Sequence, residues 1–406
     1  MKELLEQQIT RIDGELSLTL SNNKVLIRSE TGRPDIRNLL IGKPYTEAPL
    51  IVSKTSEISS LANMLASITA FEKLFRIEER VALSRLRKIL LLGQLIQNHT
   101  HHFFWEILPD YLGHKSLLDL KDDNSNLYRL GMTLMSLGSE VITTFGGRSI
   151  HPLTLEINSF GRIDLLQVKN LKKKIETSMP LFLEMLEIAA NLNYPTFLKR
   201  DVEFSCLQDE KSYSLLNGKI TSTLRIRTNV SNWDKNFKRK EGMIKLHDSF
   251  FCCGPLARLN LQKEFLRSRT KKAIKGLEVQ IDYKNPYHSV LAEAIELFNS
   301  ADKVTALMEK VLDSSGLKKL TPYTFRAGET TGAVESPNGT IYQAYKISKE
   351  GLIEDFDIMT ATIQNKTMLQ KDIKTLIEST EDFQAEKRER LLEMLIRAYN
   401  PVAAEL

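Results

Sequence analysis

Apolar and polar residues alternate from Gly14 to about Arg28 (GELSLTLSNNKVLIR), around the turn-forming Ser21-Asn22-Asn23. This period of two predicts a hairpin of two strands. From Glu57 to His102 the period becomes helical, with Leu61, Leu65, Ile68 and Phe71 followed by Leu83, Leu86, Leu90 and Ile96. No Gly or Pro lies between Glu57 and Leu92, so two long helices are predicted, with a break near Glu78-Glu79. A further helix is predicted over Leu127 to Phe145, ending at Gly146-Gly147, since glycine suits the left-handed residue that closes a helix. Leu166 to Leu192 reads as amphipathic helix broken at Pro180, which has no N–H to continue the ladder, and closed by Asn193 and Pro195.

Further along, Phe204 to Phe251 is rich in β-formers, with turns at Asn217-Gly218 and Asn229. Helix returns from Pro286 to Leu312, and a β segment from Thr330 to Lys346 turns at Pro337-Asn338-Gly339. Two helices, near Met368–Leu376 and Thr380–Tyr399, follow. No repeat and no Gly-, Ser- or Pro-rich linker divides the chain. The predicted class is α+β, mainly α, as a single domain over 1–406 with small antiparallel β segments. Its parts are a β hairpin region at about 9–30, a helical core at about 57–195, a β-rich insertion at about 204–251 and a C-terminal helical region at 286–401.

Composition narrows the class. With 406 residues, 42% hydrophobic, the chain has ample apolar surface for a large core, and no low-complexity run argues for disorder. Its net charge of +5, from 56 basic and 51 acidic residues, is too small an excess to argue for nucleic acid without a matching motif. Of three cysteines, Cys252 and Cys253 are adjacent, and Cys206 stands alone. Neighbouring cysteines rarely close a strain-free disulfide and lack the two-residue gap of a metal knuckle, so reduced thiols in a cytoplasmic protein are expected. Lys2, Glu3, Glu6 and Arg11 give no secretory pattern, and no apolar run reaches the roughly 18 residues of a membrane span.

A series of segments resembles, in order, the large subunit of cytosolic nickel-iron hydrogenases linked to heterodisulfide reductase, deazaflavin or NAD(P). ITRIDGEL (Ile9–Leu16) is similar to that family's ITRIEGH, and IGKPYTEAP (Ile41–Pro49) to VGRPYEEAP. LGQLIQNHTHHFFWEILPD (Leu92–Asp110) is similar to LGQFIQSHALHFFHLAAPD, and FGGRSIHP (Phe145–Pro152) to FGGRxIHP. GPLARLNL (Gly254–Leu261), NPYHSVLAEAIE (Asn285–Glu296), AGETTGAVESPNGTIYQAY (Ala327–Tyr345) and IRAYNP (Ile396–Pro401) complete the series. The resemblance implies that family's helical core. It carries no activity with it, because activity resides in the site.

In that family four thiolates hold nickel and iron, two from a segment like RICGICPVSHHL and two from one like RAYDPCLSCATH. Soft sulfur suits these metals. The matching runs here are KTSEISSLANML (Lys54–Leu65) and RAYNPVAAEL. Ser56 and Ser59 take the first two cysteine positions, Val402 and Glu405 the second two. A serine hydroxyl stays protonated and is a hard donor, so Ser56 and Ser59 are expected to cap or lie near the start of the following helix. The surroundings change as well. Lys54 takes an arginine position and Asn63 a histidine position; Asn338 replaces the arginine of EAPRGT, and Asn400 an aspartate. Arg37 aligns with a magnesium-binding glutamate, and Asp13 keeps a carboxylate where the family relays protons through Glu. Lys54 is expected to reach the former metal position and pair with Asp13 or Glu405, with water filling the remaining space.

His99, His101 and His102 form a cluster that invites a zinc reading. The resemblance keeps two of these histidines where the metals use cysteine, so packing or an interface role is expected, as for His151 and His288. The implied function is a catalytically silent large-subunit homologue, with no nickel-iron centre, serving as a structural subunit of a cytoplasmic electron-transfer complex. Its expected partner is a small subunit carrying iron-sulfur clusters, within a larger redox complex. Three alternatives remain open: the old pocket repurposed for a quinone-like or other small acceptor, an active hydrogenase using other ligands, or a monomeric regulator or assembly factor. With no nickel to sense, folding is expected to need no C-terminal processing protease.

Overall fold

The structure, a computed structural model, describes residues 5–21, 24–30, 35–119, 121, 124–240, 243–313 and 322–405. Where the apolar spacing is helical, long helices form: α1 (Ser60–Leu74), α2 (Val81–His101) and α3 (Ser125–Gly146). The expected stop for α3 is present, with Gly147 left-handed at φ 77° and its N–H bonded to the Thr143 carbonyl at 2.8 Å. α4 (Leu165–Thr177) and α5 (Met179–Ala190) are separated at Ser178, with Pro180 in the first turn of α5, where its missing N–H costs nothing. α2 packs along α3 and also against a later helix described below.

The N-terminal hairpin is present as β2 (Gly14–Ser21) and β3 (Lys24–Ser29); its turn residues 22 and 23 lie outside the described residues. β1 (Leu5–Ile12), which the sequence reading did not predict, pairs antiparallel with β2 and makes the sheet three-stranded. α2 does not end at His102 but continues through a wider π turn over His102–Ile107 into a short helix, Leu108–Leu112.

The β-rich region contains β4 (Glu203–Gln208), β5 (Lys219–Ser222) and β6 (Phe251–Cys252), together with a hairpin of Phe237–Lys240 and Met243–Leu246. The expectation of antiparallel pairing holds for most of these ladders but not for β6, which runs parallel to β4 with Cys252 opposite Phe204. Two helices absent from the prediction follow, α6 (Pro255–Gln262) and α7 (Ser268–Gly276). α8 (Ser289–Leu312) runs through the core against α2, α4, α5 and α6. The expected β segment is a hairpin of β7 (Gly328–Ser336) and β8 (Gly339–Ile347), and β9 (Ile353–Met359) adds a third strand. α9 (Ala361–Ser379) starts seven residues before Met368, and α10 (Ala385–Ala398) leads to the last described residues.

One cluster of buried apolar residues links Ile9 of β1, the faces of α1, α2, α3 and α8, and Ala403 near the C-terminal end. The packing therefore brings both ends of the described chain to the same core. It also fixes what surrounds the segments that carry the candidate site.

Candidate functional site

The site is built where the two chain ends meet. Past α10, Asn400 adopts a left-handed conformation at φ 48°, which asparagine tolerates better than most side chains, and turns the chain back. The turn sets Val402 beside Asp13 in a parallel bridge, with the Ala403 N–H bonded to the Asp13 carbonyl at 2.8 Å. The β7–β8 turn closes from the other side: Asn338 Nδ2 donates to the Asn400 carbonyl at 2.7 Å. This approach requires two glycines at positive φ. A Cβ on Gly339 would sit 2.6 Å from Cys253 Sγ, and one on Gly254 would sit 2.7 Å from the Asn338 carbonyl.

Residues that the sequence reading did not single out clamp this corner. At the start of α9, Thr362 Oγ1 accepts from the Val402 N–H at 3.1 Å and Asn365 Oδ1 from the Cys253 N–H at 2.9 Å. Gln364 Nε2 donates to the Thr340 carbonyl at 2.6 Å. Arg258, fully buried, holds the β7–β8 turn through the Ser336 and Pro337 carbonyls, both at 2.9 Å. Its only sequence signal is its place in the GPLARLNL segment.

The first serine pair is buried at the start of α1. Ser56 Oγ accepts from the Ser59 N–H at 3.1 Å, and Ser59, the residue before the helix, makes no capping bond with its side chain. Asn63 is buried and tied to β8, its Oδ1 accepting from Gln343 Nε2 at 3.0 Å. Asp13 lies near this segment. Burial, with the Glu106 and Glu57 carboxylates nearby, raises its carboxyl to about 6, against a smaller opposing effect of His101. Glu405 is buried in a short turn after Val402.

Two expectations fail. Lys54 is exposed at the end of the short helix Ala48–Ser53 and forms no ion pair among the described residues, so it reaches neither Asp13 nor Glu405. The helix sets its direction: Val52 and Ser53 face inward, and the next residue points out. Arg37 is also exposed, paired with Asp355 of β9 at 2.8 Å, outside the buried corner. Thus Asp13, Asn338, Asn400 and Val402 are joined by direct bonds or bridges, with Ser56, Ser59, Asn63 and Glu405 buried in the segments around them.

Three buried oxygens in this corner, Asp13 Oδ2, Asn338 Oδ1 and Asn400 Oδ1, have no hydrogen-bond partner among the described residues. Asn338 and Asn400 line a cavity of about 20 Å³ with Cys252, Cys253, Tyr399 and Glu293. That is room for about one water. Burial pushes both thiols up from the ordinary cysteine range, which keeps them as inert SH groups. A much larger open cleft, about 550 Å³, lies over the β7–β9 sheet between Lys73, Trp233, Glu329 and Asp355, and none of the expected site residues lines it.

The histidines take a structural arrangement. His99 Nε2 lies 3.0 Å from Glu296, and His102 Nδ1 lies 2.6 Å from Glu293. His102 Nε2 meets the Arg397 carbonyl at 2.8 Å, so both of its ring nitrogens face acceptors and both must donate. Burial alone would lower its pKa, but Glu293 and Glu106 outweigh that and raise it to about 9. Among the described residues no group of three or more His, Cys, Asp or Glu is placed to hold a metal ion. The four positions matched to thiolates offer two hydroxyls, one aliphatic side chain and one carboxylate, so they do not supply the donor set of a nickel-iron centre.

Comparison with known proteins gives consistent likenesses at low identity. The chain is similar to the alpha chain of sulfhydrogenase 1 of Pyrococcus furiosus, 23% identical over 372 residues covering 89% of this chain and 86% of that one. A chain of the F420-non-reducing hydrogenase of Methanothermobacter thermautotrophicus is 24% identical over 448 residues, covering 99% and 93%. The beta chain of the NAD-reducing hydrogenase of Cupriavidus necator is 20% identical over 463 residues, covering 98% and 93%. Among solved structures, an NAD+-reducing [NiFe]-hydrogenase superposes with a TM-score of 0.83 at 19% identity, covering 99% of both chains. The Ni-Fe-Se hydrogenase of Desulfomicrobium baculatum gives 0.76 at 15%, again covering 99% of both. No family model matches the chain.

Proposed function

Because this chain is a homologue of hydrogenase large subunits and has the nickel-iron hydrogenase large-subunit fold, we propose that it is a catalytically silent member kept as a structural subunit of an electron-transfer complex. The observation that carries this reading is the donor set at the old metal positions. Ser56 spends its oxygen on the Ser59 N–H, Val402 has no donor, and the three cysteines are buried away from those positions in sequence. Iron-sulfur clusters are bound by cysteine thiolates. Three separated or adjacent buried thiols offer no such set, so the electrons travel in a cytoplasmic partner that carries the clusters. The preserved core maintains the shape that partner recognises.

The small cavity beside Asn338 and Asn400 favours this reading over a repurposed acceptor pocket, because about 20 Å³ does not admit a quinone ring. The test is to purify the complex from its source, measure nickel and iron per chain, and assay hydrogen-dependent reduction of viologen dyes. The expected result is no stoichiometric nickel, no dye reduction, and iron that follows only the partner. One nickel per chain, or a bound quinone recovered with this chain, would overturn the proposal.

A further inference from the structure

From Lys263 to Lys275 the chain carries six basic residues against one acidic, an excess equal to the +5 of the whole chain. The rest of the molecule is therefore balanced, and its charge asymmetry is concentrated on α7 and the turn before it. α7 contains no acidic residue. Arg269, Lys271, Lys272 and Lys275 lie at three- and four-residue spacings, which sets like charges beside one another and weakens an isolated helix. The helix is held by its other side: Thr270 is fully buried, and Asn299 Oδ1 of α8 accepts from the Arg267 N–H at 3.0 Å and from Thr270 Oγ1 at 3.2 Å.

Within this stretch Arg267 pairs with Asp302, and Lys271 donates to the Glu264 carbonyl. Lys263, Arg269, Lys272 and Lys275 are exposed and form no ion pair among the described residues. The basic run on α4 is compensated at two of its four lysines, Lys169 and Lys173 being exposed without an ion pair among the described residues. There Lys172 pairs with Glu176 at 2.9 Å and with Glu309 at 2.5 Å, and Lys174 pairs with Glu140.

We propose that the outer face of α7 and its leading turn is a docking site for an acidic protein surface, held by electrostatic complementarity. Complementary charge of this kind sets the encounter rate and orientation more than the final affinity. A protein fits better than single-stranded nucleic acid, because the face offers no exposed aromatic ring for bases to stack on: Phe265 is half-buried. It fits better than a lipid surface, because Leu266 is buried and Ile274 and Leu277 are half-buried, leaving no apolar anchor. The inference is independent of the metal content of the old site.

The test measures binding of a fluorescein-labelled oligo-glutamate peptide to the full chain, across a salt series, in three forms of the protein. These are the wild type, Arg269→Gln/Lys272→Gln on α7, and Lys172→Gln/Lys174→Gln on α4, all checked for unchanged thermal melting. Wild type is expected to bind at low salt and to weaken steeply as salt rises. The α7 variant should lose about tenfold or more, and the α4 variant should stay within about twofold. No binding at low salt, or a loss on α7 no greater than on α4, overturns the proposal. So does tighter binding of a single-stranded RNA of equal charge or of phosphatidylserine vesicles.

Discussion

Two buried polar regions meet at Glu293, and they are built on opposite terms. Around Arg258 every charged side chain is paired, and His99 Nδ1 is the atom of this group left without a hydrogen-bond partner among the described residues. The Arg258 guanidinium reaches both Glu296 oxygens at 2.7 Å, Glu335 at 2.9 Å and the two turn carbonyls, while Glu296 also meets His99 and Tyr213. In the corner of Asp13, Asn338 and Asn400, three oxygens lack partners among the described residues, and the two asparagines line a cavity the size of a water. Arg258, Glu296, Glu335 and His99 keep the residue types of the segments that carry the resemblance, whereas Asn338 and Asn400 stand where those segments have other residues.

The largest effect should come from breaking the paired side. Arg258→Met leaves Glu296 and Glu335 buried without their cation, a loss expected to cost about 3–5 kcal/mol. Urea unfolding measures it directly. A cost under about 1 kcal/mol would mean that the network is not what holds the β7–β8 turn, and the contrast between the regions would collapse.

Next come two pH dependences of opposite placement. Folded Asp13 keeps its proton up to about 6, whereas an unfolded aspartate releases it near 3.8. The folded state therefore binds more protons between those values. This contribution is fully present below pH 3.8 and is lost as pH rises through 6. The shift corresponds to at most about 3 kcal/mol, less whatever solvent at this partly exposed group screens away. Asp13→Asn should consequently be more stable than wild type at pH 7, and the difference should vanish near pH 4 in urea titrations. His102 works at the other end. With its folded pKa raised to about 9, its contribution is full below 6.5 and is lost as pH rises through 9. His102→Gln should flatten that alkaline decline, and an unchanged decline would show that the imidazolium is not the group responsible.

How much of this was legible follows from what apolar spacing can report. α3 and the α4–α5 break were readable because Gly146-Gly147 and Pro180 are local backbone signals. The first half of α9 was not, because its inward face is polar: Thr362, Gln364, Asn365 and Thr367 are buried as hydrogen-bond partners rather than as hydrocarbon. β9 was missed for a related reason, since Asp355 and Asp357 face outward between Ile353, Phe356 and Met359 and dilute the apolar run. For the site, the ordered segments identified which positions matter but not which way each side chain points. Lys54 follows the turn of its helix into solvent. The vicinal cysteines, read only as reduced thiols, line the residual cavity because β6 runs parallel to β4 immediately before the GPLARLNL segment.

The smallest effect separates the two serines that stand at cysteine positions. Both are buried and both were expected to serve the start of α1, yet only one does so with its side chain. Ser56 Oγ accepts from the Ser59 N–H, a backbone donor at a helix start that no intrahelical carbonyl reaches. Ser56→Ala removes that acceptor and leaves the donor buried, so it should cost about 1 kcal/mol, the usual size of such a cap. Ser59 precedes the helix but makes no side-chain bond to it, and its carbonyl already accepts from the Asn63 N–H at 2.8 Å. Ser59→Ala keeps that carbonyl and should stay within about 0.5 kcal/mol of wild type. Paired urea midpoints measure the difference. Equal losses would mean that both hydroxyls hold the start of α1, whereas the expected asymmetry leaves that task to Ser56 alone.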